Sequence, residues 1–140
     1  MITGVDHPAL AVPDIQQALD FYCGVVGFEV VAEFDLPDGL MEAPFGIARA
    51  GCKVRMIHKG GTKIELFEFA HGTAGDPNRP VDRQGITHIA LRSDDVPADY
   101  AMLEKAGVVF NTPVQGETPS QWCYGRDPFG NVIELIEASG

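Results

Sequence analysis

The sequence predicts an α+β fold of two modules, each ordered β-α-β-β-β, and three observations lead there. First, the chain repeats itself. Val5-Asp6-His7-Pro8-Ala9-Leu10 returns as Ile86-Thr87-His88-Ile89-Ala90-Leu91, and Lys63-Ile64-Glu65-Leu66-Phe67-Glu68 returns as Val132-Ile133-Glu134-Leu135-Ile136-Glu137. Second, each half contains one stretch of helical period, closed by a glycine. Third, each half ends in two strand-like runs joined by turn residues. One such unit leaves a sheet face apolar, so two are expected to pair about a pseudo-twofold axis into a curled mixed sheet around a shared cavity.

The elements follow in order. Residues 5–12 read as a strand. A helix begins at Pro13-Asp14, since proline suits a first turn and aspartate a helix N-terminus. Ile15, Ala18, Leu19, Tyr22 and Val26 recur at helical spacing, and Gly27 ends the run. Residues 28–34 form the next strand. Strands 53–59 and 62–69 flank Gly60-Gly61, a pair suited to a two-residue hairpin because both turn positions need positive φ. The second half gives a strand over 86–92, a helix over 97–106 ended by Gly107, and a strand over 108–111. A final hairpin joins 121–126 to 132–137 through Asp127-Pro128-Phe129-Gly130-Asn131. The organisation expected is one domain over 1–140, with module one at 4–69, a linker rich in Gly, Pro and Asp at 70–84, and module two at 85–138.

The repeat also locates an insertion. The histidines are 81 positions apart (88 − 7) and the glutamates 69 (134 − 65), so the first half carries 12 extra residues between its His and its Glu. Residues 35–51, with Pro37, Gly39, Pro44 and Gly46, are the place for them and read as a loop or lid over a site.

Composition narrows the partners. Twenty acidic residues against ten basic leave a formal charge of −10 among 140 residues. That sign repels polyphosphate backbones and anionic membranes, so neither nucleic acid nor a membrane is expected as partner. No window approaches the ~20 apolar residues of a membrane span. The N-terminus lacks the basic patch and apolar run of a signal peptide. Cys23, Cys52 and Cys123 are odd in number and form no C-x-x-C pair, which reads as reduced thiols in a cytoplasm.

These residues resemble the vicinal oxygen chelate superfamily, which includes glyoxalase I, methylmalonyl-CoA epimerase, extradiol dioxygenases and the bleomycin and fosfomycin resistance proteins. The resemblance runs from Val5 to Glu137. It is carried by Ala18-Leu19-Asp20-Phe21-Tyr22 with Gly27-Phe28, by the strand around His88, and by Asp127-Pro128-Phe129-Gly130-Asn131 leading into Ile133-Glu134-Leu135. The fold it implies is the paired βαβββ arrangement. The reaction it leaves open, because one scaffold hosts several chemistries.

Strand period supplies a separate reading. Glu65 shares a face with Lys63 and Phe67, and Glu134 shares one with Val132 and Ile136, so both carboxylates interrupt partly apolar faces at matched places. A buried carboxylate is costly unless paired or metal-bound. His7, Glu65, His88 and Glu134 together would offer two nitrogens and two oxygens to a divalent transition ion, Ni, Co, Zn, Mn or Fe. One histidine alone is more often a surface or core residue, and one strand glutamate usually faces water. Glu68 and Glu137 are read that way, as are His58 and His71. Phe67, Phe69, Trp122 and Tyr124 are candidate pocket walls, with Met56 either lining or packing. Arg49, in the insertion, is a candidate contact for an anionic substrate group. Arg92, Lys105 and Arg126 read as ordinary surface charges.

The His-Glu-His-Glu set is closest to that of glyoxalase I. The resemblance therefore implies a lyase or isomerase that moves a proton next to a carbonyl, with Glu134 as base and Glu65 as its partner or alternate. A ring-cleaving iron dioxygenase and a metal-free resistance protein are the alternatives, and methylmalonyl-CoA epimerases carry Gln where Glu65 stands. Bacterial-type glyoxalase I has an Arg four residues after its first metal His and an Asn four residues after its first Glu, both meeting glutathione. Here those positions are Ala11 and Phe69, which argues against a glutathione-linked substrate. A small-molecule substrate and a homodimer are the partners expected.

Overall fold

The computed structural model describes residues 1–138. The chain divides into two compact units, Met1–Ala74 and a second beginning at Gly75, a boundary inside the expected linker. Each unit builds its own four-stranded mixed sheet, so the α+β class holds.

The first unit contains β1 (Ala9–Ala11), α1 (Ile15–Tyr22), β2 (Glu29–Leu36), α2 (Glu42–Phe45), β3 (Cys52–Lys59) and β4 (Thr62–Phe69). Its sheet order is β1-β4-β3-β2, with β1 parallel to β4 and the other pairs antiparallel. Helix α1 starts one residue later than Pro13-Asp14 implies, because the Asp14 carboxylate accepts the Gln17 N–H at 2.9 Å and so stands outside as the cap. It closes at Tyr22, short of Val26, and Gly27 at φ +84° carries the chain into β2. Ile15, Ala18, Phe21 and Tyr22 are buried on the face that packs against β3 and β4, where Ile57, Ile64 and Leu66 are also buried. The hairpin between β3 and β4 turns through Gly60 and Gly61 at φ +57° and +83°, as their pairing predicts.

Glu68 departs from its reading as a solvated neighbour. Its carboxylate accepts the Ile15 N–H at 2.7 Å and the Lys53 ammonium at 2.9 Å, so it binds the open N-terminus of α1 from the adjoining strand. The Ile15 hydrogen bond, helped by Lys53, holds this carboxyl below the usual carboxylate range. The insertion forms α2 and a folded-back loop. The Asp38 carboxylate accepts the Gly51 N–H at 2.9 Å, and the Glu42 carboxylate accepts the Arg49 N–H at 2.7 Å.

The second unit contains β5 (Ile89–Ser93), α3 (Val96–Lys105), β6 (Val109–Phe110), β7 (Trp122–Arg126) and β8 (Val132–Glu137), ordered β5-β8-β7-β6. The Asp95 carboxylate caps α3 by accepting the Ala98 N–H at 3.0 Å, and Val96 and Leu103 are its buried contacts. The β7–β8 turn is organised by Asp127, only 4% exposed, whose carboxylate accepts the Phe129 N–H, the Asn131 N–H and the Asn131 side-chain amide at 2.8–2.9 Å. Gly130 must be glycine there: φ is +87°, and a Cβ would lie 2.4 Å from Pro77 Cα.

Two further surface readings change here. Arg126 is half-buried and donates to the Gly130 and Arg79 carbonyls at 2.9 and 2.5 Å, tying the chain near Arg79 to this turn. The Glu137 carboxylate accepts the Gln121 N–H at 3.0 Å instead of standing free in water.

Candidate metal-binding and catalytic site

The strands are shorter than their sequence pattern, so His7 and His88 precede β1 and β5 rather than lying within them. Register nonetheless places both histidines. β1 runs parallel to β4 with Ala9 opposite Glu65, and β5 runs parallel to β8 with Ala90 opposite Glu134. In each unit the histidine lies two residues upstream of the carboxylate's partner (9 − 7 and 90 − 88). Two residues is one strand period, so imidazole and carboxylate share a face. His7 Nε2 lies 3.2 Å from a Glu65 carboxylate oxygen, and His88 Nε2 lies 3.2 Å from a Glu134 carboxylate oxygen.

All four side chains are half-buried, with Glu134 the most enclosed at 13% exposure and His88 the least at 31%. The other ring nitrogen of each histidine is engaged by the residue before it. Asp6 meets His7 Nδ1 at 2.8 Å and is itself held by Lys63 at 2.7 and 2.9 Å. The Thr87 hydroxyl meets His88 Nδ1 at 2.8 Å. The Asp6 hydrogen bond raises the His7 pKa above its ordinary value, and Lys63 lowers that of Asp6. Asp6, Lys63 and Thr87 escaped the sequence reading. The signal was there, since an oxygen-bearing side chain precedes the histidine in both halves of the repeat.

The donor set fits a divalent transition ion. Nitrogen and oxygen ligands each about 2.1 Å from one ion lie about 3.0–3.4 Å apart, depending on geometry, and both pairs stand at 3.2 Å. Nδ1 is occupied on each ring, which leaves Nε2 as the ligating atom and fixes the ring's orientation. Among the described residues, no three His, Cys, Asp or Glu side chains converge as a ready-made metal site; the candidate ligands come together as two pairs. The cysteines stand outside the donor set. Burial, with Glu134's charge behind it, pushes the Cys123 thiol up to about 11, so it stays protonated at neutral pH.

The predicted walls sort by unit. Phe67 stacks on Phe69 with centroids 5.5 Å apart, and Phe45 of α2 meets both edge-on at 5.8 and 5.7 Å. Strand period puts Phe67 and Phe69 on the Glu65 face, so the insertion does cover that face. Met56 lies opposite Glu65 on β3. In the second unit Tyr124 stands opposite Glu134 and meets His88 edge-on at 5.1 Å, with Trp122 beside it at 5.7 Å. Arg49 is exposed, at φ +56°, and donates to His71 Nε2 at 2.7 Å, with Asp38 close to both. His71 is thus exposed but engaged.

Two matched βαβ-containing units, each presenting one His–Glu pair, define the class. Residues 4–135 match the Glyoxalase/Bleomycin resistance protein/Dioxygenase superfamily, and the chain belongs to it. It is 31% identical over 148 residues to a 2-epi-5-epi-valiolone epimerase from Actinomyces sp., covering 94% of this chain and 78% of that protein. It is 26% identical over 155 residues to a lactoylglutathione lyase of Pseudomonas putida, covering 94% and 83%. Among solved structures, a glyoxalase family protein from Bacillus cereus shares the fold with TM-score 0.87 at 22% identity, covering 100% of this chain and 97% of that one. No helix among the described residues is long and apolar enough to cross a membrane.

Proposed function

We propose that this protein is a metal-dependent isomerase or lyase that moves a proton next to a carbonyl in a small, vicinally oxygenated substrate without glutathione. The observation carrying this reading is the pair of His–Glu contacts at equal 3.2 Å separation and matched register. Relatives that include an epimerase and a lyase support the same class. His7, Glu65, His88 and Glu134 would hold the ion, which supplies positive charge beside the substrate oxygens where negative charge develops.

The remaining work falls to the chain. Glu134, enclosed and backed by Tyr124, takes the proton from the carbon next to the carbonyl. The same proton returned to the neighbouring carbon gives isomerisation. A proton delivered to the original carbon by Glu65, which has taken it from solvent, gives epimerisation when it arrives with inversion. Phe45, Phe67 and Phe69 exclude water and favour an apolar or flat substrate portion, in place of the charged and amide contacts glutathione needs. The working unit proposed is one domain of two modules, active as a cytoplasmic homodimer.

The test is exchange. Protein loaded with Co, Ni, Zn, Mn or Fe is incubated in D₂O with a panel of α-hydroxyketones, and deuterium incorporation is followed by NMR. Glu134→Gln should slow exchange 10²–10⁴-fold, the usual effect of losing a general base, while the exposed Glu117→Gln should match wild type. Equal rates in the two variants would reject Glu134 as the base.

A further inference from the structure

Resting on the metal reading above, we propose that Tyr124 is the positioning residue for Glu134, its hydroxyl holding the carboxylate while one oxygen faces the His88 imidazole. Strand pairing sets Tyr124 directly opposite Glu134. Directly opposed residues on paired strands project from the same face with Cβ atoms about 4.5–5.5 Å apart, which sets the phenol beside the Glu134 carboxylate. Its ring meets His88 edge-on, with centroids 5.1 Å apart and planes at 88°, and Trp122 supports it from the side at 5.7 Å. One side chain therefore stands beside both members of the pair: the ring limits the imidazole, and the hydroxyl limits the carboxylate.

The first unit provides the contrast. The residue opposite Glu65 is Met56, whose thioether has no proton to donate. There the orienting contact reaches the histidine instead, through Asp6 and Lys63. The two glutamates are alike in register and unlike in what holds them. Glu134 faces a phenol hydroxyl on its neighbouring strand, and Glu65 faces a thioether on its own. A carboxylate whose direction is preset loses less freedom when it ligates or accepts a proton. Hydrogen-bond partners behind metal ligands commonly govern 10–100-fold in affinity.

Cobalt(II) alone is the probe, titrated into the full metal-free chain by calorimetry and by its visible d–d absorption. Tyr124→Phe keeps the ring and removes the donor. It should raise the cobalt Kd at least about tenfold and alter the d–d band, while the Tm of the metal-free protein stays within about 2 °C. On a Glu134→Ala background, the same change should move Kd less than about twofold, because nothing remains to be held. Met56→Leu should leave Kd unchanged. A Tyr124→Phe protein that binds cobalt like wild type, or loses equal affinity with and without Glu134, overturns the positioning role and leaves the metal reading standing. A wild-type chain that takes up no cobalt overturns both.

Discussion

Replacing Glu68 by alanine should destabilise the protein by about 2–3 kcal/mol while leaving metal uptake intact. The magnitude comes from two contacts. A hydrogen bond to a charged acceptor contributes roughly 1.5–3 kcal/mol, and the Ile15 N–H meets Glu68 at 2.7 Å with the carboxylate only 23% exposed. Negative charge at the start of α1 adds about 0.3–1 kcal/mol through the helix dipole. The Lys53 partner is half exposed and screened by solvent, so it adds little. Glutamine keeps one acceptor oxygen and should cost about half as much as alanine. For a chain of this size the alanine variant should melt about 6–10 °C lower.

Acid titration provides a second reading of the same contact. The folded state holds the Glu68 carboxyl below its ordinary value of 4.5, so the unfolded chain takes up the proton first as pH falls. Its stabilisation is therefore intact above that value and lost as pH drops through the lower folded pKa. Urea unfolding at several pH values, for wild type and Glu68→Gln, checks this. The stability gap should be constant from pH 7 to about 5.5 and should close in stronger acid. An alanine variant within about 1 °C of wild type, or a gap that widens in acid, would refute the capping role. Unchanged cobalt affinity is expected too, since strand period puts Glu68 on the face of β4 opposite Glu65.

Other expectations concern the site itself. Metal content measured before any chelator is added should be about one divalent transition ion per chain, and His88→Ala and Glu134→Gln should each lower it; full retention in both would move the site elsewhere. The hemithioacetal of methylglyoxal and glutathione should be a poor substrate for Ni-, Co- and Zn-loaded protein. Turnover with kcat/KM in the usual enzymatic range of about 10⁴–10⁸ M⁻¹s⁻¹ would restore a glutathione-linked activity. Light scattering in solution should give twice the chain mass if the homodimer is correct.

The repeat made the main outline legible before any coordinates. The repeat singled out His7, Glu65, His88 and Glu134 at matched positions, and parallel register in each unit then set each imidazole beside its carboxylate. Glycines at 27, 60 and 61 marked turns for a reason local to the backbone, their positive φ. Helix starts were displaced by a residue or two, since a cap depends on which side chain reaches the free N–H groups, a choice made in three dimensions.

Sequence by itself determined the two-module fold, the matched positions of His7, Glu65, His88 and Glu134, and the insertion, all of which depend on period, spacing and turn chemistry along the chain. Only the tertiary structure decided what each polar group touches. Glu68 and Glu137 look like solvated strand residues by alternation, yet each meets a backbone N–H presented by another element. Arg126 looks like a surface charge, yet two carbonyls draw it inward. Tyr124 and Met56 occupy equivalent places in the repeat, and only strand pairing revealed that one glutamate faces a phenol, which can donate, and the other a thioether, which cannot. Period assigns a residue to a face, but a hydrogen bond needs a partner within about 3 Å, and chains distant in sequence supply it only once the fold has formed.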